Sequence, residues 1–424
     1  MQDFVYWIWL SRAVSVGTTT FKRLIEKFGS PKVIYEAEDY EISSCIGSRS
    51  RDLTALLNKD LSYAEKIFNF CTTRGVGLLT YCDDKFPDAL RKISNPPVML
   101  YYRGILPDFN SECFISVVGT RRLTDYGKKN AFEIGRDLSK AGAIIVSGMA
   151  IGIDGVAMAG ALSSGGVTVA FLGCGIDICY PDVHTTLARA VVKNGCVMTE
   201  YCPGTRPDTK NFPRRNRLIS GISCATVALE GNERSGALIT AKCAKSQGKP
   251  IYALPGNVDN KTSIVGNLLI KNGAKLITSA YDVIRDFEFT YLGKLNPFAL
   301  DGINKVRMND ALSEYKVSCV TQSDRVFFQS RRARKASDEG MANSFHTESE
   351  ASKENSKPQI SPETAGFDKY TVSVYQRIPQ NREIPISSLV DEKNSLRDVM
   401  RALFKLDVGK FIVMLPGEKV KRKL

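Results

Sequence analysis

The chain is short of the residues from which most catalytic sites are built. Its 424 residues include two histidines, His184 and His346, too few for a histidine metal site and little material for imidazole acid–base chemistry. Eleven cysteines are present, but none forms a Cys-x-x-Cys pair. The nearest approach to a cluster, Cys174, Cys179, Cys196 and Cys202, has the wrong spacing for zinc. No metal site is therefore expected, and the thiols read as reduced and mostly buried. No apolar run approaches the ~20 residues of a membrane span, and no signal peptide stands out, so a cytoplasmic protein without membrane contact is expected. Trp7-Ile8-Trp9-Leu10 reads as a core-facing helix rather than an anchor. Gly-x-Gly-x-x-Gly is missing after the first strand of the central region, Gly248-Lys249-Pro250 lacks the Ser or Thr of a Walker lysine, and there is neither a Gly-x-Ser-x-Gly elbow nor a carboxylate cluster. These absences argue against dinucleotide binding, P-loop chemistry, acyl transfer and two-metal catalysis. No catalytic residue and no cofactor is expected.

What the chain has in excess is positive charge: 58 Lys and Arg against 45 Asp and Glu, a net +13, which favours a polyanionic partner. With 43% apolar residues there is enough material for several cores. Residues 1–100 read as a small helical domain, with Leu10, Phe21, Leu24, Ile25 and Phe28 at helical spacing and Gly29-Ser30-Pro31 as a stop and restart. A helix, a Gly17 turn and a second helix resemble the helix-hairpin-helix or SAM-like modules of DNA-handling proteins; an ordinary packing unit explains the pattern without DNA contact. Residues 101–289 alternate short β-branched runs with helical patterns: 115–118, 144–146, 167–172, 197–199, 226–229 and 251–253. That alternation predicts an α/β fold, an extended Rossmann-like parallel sheet covered on both faces. Residues 290–366 turn polar and read as a disordered linker, with a basic run at Arg331–Lys335. Residues 367–424 return to order; three apolar helical faces followed by Phe411–Leu415 and a turn predict a winged-helix domain.

Within the sheet region the candidate binding residues recur at predicted strand ends, where helix N-termini face a ligand. Gly119-Thr120-Arg121 follows the first of those strands and Ser147-Gly148 the second. Lys210, Phe212, Arg214, Arg215, Asn216 and Arg217 form a basic stretch around an aromatic ring, and Ser235-Gly236 with Thr240 opens a later helix. Guanidinium forks suit phosphate, a phenyl ring suits base stacking, and the Asn216 amide either reads a base edge or braces its loop. Asp154 is expected to cap the helix after Ser147-Gly148, and Tyr180-Pro181 to be a turn.

In order along the chain, Gly119-Thr120-Arg121 with Tyr126-Gly127, Ser147 to Asp154, Leu172 to Asp177 with Tyr180-Pro181, Phe212 to Arg217, Ser235-Gly236 with Thr240, and Pro255-Gly256 resemble the motifs of the DNA-processing protein A (DprA/Smf) family. Two departures stand out: Val265 where that family has Gly, and Ala237 after Ser235-Gly236 where Ser or Thr is common. The resemblance implies a protein that binds single-stranded DNA, protects it during natural transformation and recombination, helps load the RecA recombinase, dimerises through its Rossmann domain and has no turnover. A rival reading is a nucleoside-monophosphate phosphoribohydrolase of the lysine-decarboxylase-like family, whose Pro-Gly-Gly-x-Gly-Thr signature is absent here. A third is a transcription regulator acting through residues 369–424.

Overall fold

The computed structural model describes residues 2–301, 308–318, 367–379, 382–391, 396–408, 411–415 and 419–422. The chain divides into two compact units, Met1–Asp338 and Glu339–Leu424.

The first unit opens with six helices: α1 (Gln2–Ala13), α2 (Thr20–Phe28), α3 (Pro31–Glu36), α4 (Asp39–Ile46), α5 (Leu53–Leu57) and α6 (Ser62–Thr73). Their boundaries follow local chemistry. Gly29 ends α2 in a left-handed conformation and returns its amide to the Ile25 carbonyl, and the Ser30 side chain then accepts from the Val33 amide with Pro31 in the first turn. Trp7, Ile8, Trp9 and Leu10 are buried, as are Phe21, Leu24 and Ile25.

The rest of the unit is built on a nine-stranded sheet in the order β1-β2-β6-β5-β4-β3-β7-β8-β9. Its strands are β1 (Gly77–Thr80), β2 (Met99–Gly104), β3 (Phe114–Val118), β4 (Ile144–Ser147), β5 (Thr168–Phe171), β6 (Cys196–Thr199), β7 (Ala225–Ala228), β8 (Ile251–Ala253) and β9 (Lys275–Leu276). Pairing from β6 through to β9 is parallel, and β1 and β2 join the β6 edge antiparallel. The central strands β3 to β7 are buried along their whole length, as expected of a parallel sheet covered on both faces. Helices α7 (Asp88–Arg91), α8 (Asp125–Lys140), α9 (Ile153–Ser163), α10 (Thr185–Asn194), α11 (Asn211–Ile222), α12 (Gly236–Ser246), α13 (Ile264–Lys271) and α14 (Tyr281–Ile284) fill the connections.

The sheet thus reaches back to Gly77, into the stretch 1–100 that reads as a small helical domain. Strand β1 is only four residues long, and Gly77-Leu78-Leu79-Thr80 has too few β-branched or alternating positions to declare itself. At the other end the polar stretch from 290 is not all linker. Leu295 is buried, and α15 (Met308–Glu314) with Val317 adds Ala311 and Leu312 to the same core. The basic run Arg331–Lys335 and residues 319–366 lie outside the described residues.

The second unit contains α16 (Lys369–Gln376), β10 (Ile384–Pro385), a 3-10 turn at Ile386–Leu389, α17 (Leu396–Val408), β11 (Ile412–Leu415) and β12 (Lys419–Arg422). A small sheet in the order β10-β12-β11 closes over Val374, Ile378, Leu389, Val399, Leu403 and Leu406. Where the apolar pattern predicts a second helix at 386–390, there is one 3-10 turn. Pro385 holds the entry to that segment extended, and four residues do not complete an α-helix.

Helix α11 carries the chain from β6 at one side of the sheet back to β7 beside β3, and its C-terminus is held by one lysine. Lys249 Nζ donates to the carbonyls of Ser220 at 3.0 Å, Ser223 at 2.6 Å and Gly221. Burial pushes its pKa down to about 8, so at pH 7 it remains mostly protonated with all three donors in use. Lys249→Met keeps most of the stem and strands three helix-end carbonyls. The expected result is a loss of ~1–3 kcal/mol in urea unfolding, seen as a lower midpoint at unchanged m.

Candidate nucleic-acid interface

Because β3, β4 and β5 lie side by side and parallel, the loops that follow them emerge at one rim. Here Arg121, Gly148, Ala150, Ile151, Gly173, Tyr180, Pro181, Phe212 and Arg215 line a shallow pocket. Helix α11 brings its first turn to the same rim, with Phe212 and Pro213 in positions where a missing backbone donor is tolerated.

Two rings form one wall. Tyr180 and Phe212 stack with centroids 5.3 Å apart and planes 28° from parallel, and Tyr180 is 39% exposed. The Arg121 guanidinium lies 5.4 Å from the Phe212 centroid, within cation–π reach, and the residue is exposed. Gly173 is required beneath this pair, since a Cβ there would stand 2.7 Å from the Phe212 ring. Tyr180, which reads from sequence as part of a turn, is thus a pocket residue. Its signals in the sequence were an aromatic beside proline and its place among the family-like motifs.

Arg215 forms the floor. It is 4% exposed, and its Nη1 donates to the Gly148 carbonyl at 3.0 Å and to that of Phe171, while Nε donates to Asn216 Oδ1 at 3.2 Å. Gly148 is gripped from the other side as well, its amide donating to Asp154 Oδ2 at 3.1 Å. A Cβ on Gly148 would meet the guanidinium at 2.5 Å, so the close approach requires glycine. Burial raises the Asp154 carboxyl pKa, with Arg215 opposing, and burial lowers that of Arg215, with Asp154 opposing. Asp154 is not the helix cap expected of it. Gly152 occupies the N-cap of α9 without a side-chain bond, and Asp154, within the first turn, reaches back to the loop.

The remaining candidates separate into exposed and engaged residues. Lys210 and Arg214 are exposed at the start of α11. Arg217, expected to hold phosphate, is 5% exposed, and its Nη2 pairs with Glu200 Oε2 at 2.5 Å. Burial pushes the Glu200 carboxyl up and Arg217 pulls it down. Ser147, expected to donate to a ligand, is fully buried and donates to the Val117 carbonyl at 2.7 Å. Thr120 Oγ1 accepts from the Arg122 amide at 3.1 Å, and the backbone of Gly119-Thr120 continues β3 toward β7 through Thr120 N to Glu230 O at 2.7 Å. Ser235 caps α12 by accepting from Ala237, buried Thr240 donates to the Gly236 carbonyl, and Asn216 reaches the same carbonyl at 3.4 Å. Asn216 therefore braces α11 between Arg215 and the α12 entry. Ser235, Gly236 and Thr240 lie at the N-terminal end of α12, outside the pocket lining.

Among the described residues no group of three or more His, Cys, Asp or Glu side chains is placed to hold a metal ion, and no helix is long and apolar enough to cross a membrane. The sequence profile of the DNA recombination-mediator protein A family matches residues 77–288. Protein Smf of Synechocystis is 34% identical over 280 residues, 65% of this chain and 70% of that protein. The chain belongs to this family. DNA processing protein DprA of Streptococcus pneumoniae is 38% identical over 207 residues, 49% of this chain and 73% of that protein. The X-ray structure of DNA processing protein A from the same species superposes with a TM-score of 0.59 at 30% identity, covering 68% of this chain and 99% of that one. The match in fold accords with the mixed α/β architecture and its largely parallel sheet.

The two kinds of arginine separate experimentally. Arg217→Met leaves Glu200 buried without its cation and is expected to cost ~3–5 kcal/mol in urea unfolding. Arg121→Ala, at an exposed site, is expected to change stability by no more than ~0.5 kcal/mol.

Proposed function

We propose that the protein binds single-stranded DNA across the carboxyl ends of β3, β4 and β5. The observation that carries this reading is the partly exposed Tyr180–Phe212 stack flanked by the exposed Arg121. A stacked aromatic platform offers its face to any base, and cations beside it offer charge to the adjoining phosphates. Arg121, Lys210 and Arg214 hold phosphates; Phe212 and Tyr180 stack on bases. Arg215 shapes the floor and contributes its field, and Arg217 keeps α11 in place. Gly119, Gly148 and Gly236 act through their backbone, and Thr120, Ser147, Asn216, Ser235 and Thr240 brace it through side-chain hydrogen bonds.

Membership of a recombination-mediator family and the names of its DNA-processing relatives support the wider role: protecting incoming DNA in the cytoplasm and helping to load RecA in transformation and recombination. The protein works as a homodimer through the sheet domain, with the second unit as a winged helix. It binds without turnover. For the phosphoribohydrolase alternative a carboxylate should face the pocket. None is among the described residues that line it, and Asp154, behind the loop, is occupied by the Gly148 amide.

Fluorescence anisotropy with a labelled single strand and its duplex, across a salt series, tests the reading. Salt-sensitive preference for the single strand is expected. Phe212→Ala should weaken binding by ~1–3 kcal/mol whatever the base sequence. Arg121→Ala and Lys210→Ala should each reduce the log–log salt slope by ~0.7. Equal affinity for duplex, or unchanged binding in all three variants, overturns the assignment.

A further inference from the structure

The pocket wall from Gly148 to Gly152 has a second anchor, on the side away from Arg215. His184 is fully buried in the turn before α10, and its Nδ1 lies 3.0 Å from the Met149 carbonyl. Its Nε2 lies 3.0 Å from the Ser318 amide nitrogen. An amide N–H can only donate, so Nε2 is the acceptor, the ring proton sits on Nδ1 and the imidazole is neutral. The Ser318 carbonyl in turn faces the Gly152 amide at 3.4 Å. Behind this link Val317 packs against α9 at Gly155, where a Cβ would stand 2.7 Å from the His184 ring and 3.2 Å from the Val317 side chain. Met149, between the two anchors, has φ +53°, a left-handed conformation unusual for a residue with a side chain and maintained only where its surroundings impose it.

We propose that His184 is a positioning residue for the pocket, fastening the Gly148–Gly152 wall to the chain at Val317–Ser318, and that affinity for single-stranded DNA depends on this clasp. The inference rests on the reading of the pocket given above. It makes the segment that follows α15 part of the binding apparatus.

Protonation turns Nε2 from acceptor to donor opposite another donor. Burial lowers the His184 pKa, with its bond to the Met149 carbonyl and the charge of Asp154 opposing. A histidine depressed below its free value of about 6.5 stabilises the folded state above that pH, and the contribution is lost as pH falls below it. Asp154 is the buried charged group behind the wall; Asp182 in the same turn, Arg189 on α10, and Glu314 and Lys316 on the packed segment are exposed. His346 is the one other histidine in the sequence, and a His346→Gln background removes its titration.

The test combines anisotropy on a labelled single strand from about pH 5.5 to 8 with hydrogen exchange of residues 148–152, in the full chain. Wild type should lose affinity as pH falls below ~6.5. Ser318→Pro removes the donated N–H while leaving the core side chains unchanged, and His184→Phe keeps a ring while removing both bonds. Each should speed exchange at 148–152, weaken binding roughly 3- to 30-fold at pH 7.5, equivalent to about 0.7–2 kcal/mol, and flatten the pH profile. Unchanged exchange in Ser318→Pro overturns the clasp whether or not DNA binds. Faster exchange with unchanged affinity overturns its link to binding. If wild type binds no single strand at any pH, the reading of the pocket fails and the link with it, while exchange still decides the clasp.

Discussion

The Arg215 guanidinium is the interaction on which the site depends. It leaves α11, enters the space under the rim and joins the carbonyl at the end of β5 to the carbonyl of the loop after β4. A buried cation is costly unless its donors are matched. Here the matches are backbone carbonyls, with the Asp154 carboxyl on the far side of the same glycine. The crossover helix, two strand ends and the loop between them are thereby locked in one arrangement, and Phe212, three residues earlier, has a defined place over Gly173.

This arrangement assigns different work to chemically identical side chains. Arg214 and Arg217, three residues apart, share a helix face, and the Gly17 turn between α1 and α2 lies close to both. Arg217, nearer the sheet, is enclosed with Glu200; Arg214, at the helix start, remains in solvent. Enclosure carries strain of its own, because Arg217 Nε and Nη1 and Glu200 Oε1 have no hydrogen-bond partner among the described residues. The pair lies beside the Gly17 turn, where α11 meets the N-terminal helices, and a buried ion pair of this kind is weak evidence for net stability.

Much of the sheet was legible because fully buried parallel strands announce themselves as short β-branched runs between helical patterns, as 115–118 and 226–229 did. β1 was not, for its four residues become a strand by pairing with β2 and not by propensity. The packing of α15 was equally hidden, since Ala311, Leu312 and Val317 are few apolar residues in a polar neighbourhood and find their core only on α9. In the site, the motif positions were legible and the direction of each side chain was not. Ser147 and Arg217 looked like ligand groups by type, and both turned out to face protein.

Residue order and chemistry alone determined the α/β class, the excess of positive charge and the family. These depend on local periodicity and on motif residues whose spacing is written in the chain. Tertiary structure alone decided which arginines reach solvent, that Tyr180 completes the stack on Phe212, that Asp154 serves the loop instead of the helix end, and that His184 ties the pocket wall to Ser318. Most of those outcomes join residues tens to more than a hundred positions apart or turn on which face of a helix a distant segment covers, and the short reach of Asp154 to Gly148 depends on how the loop is held. Burial and hydrogen-bond geometry exist only once the segments have packed.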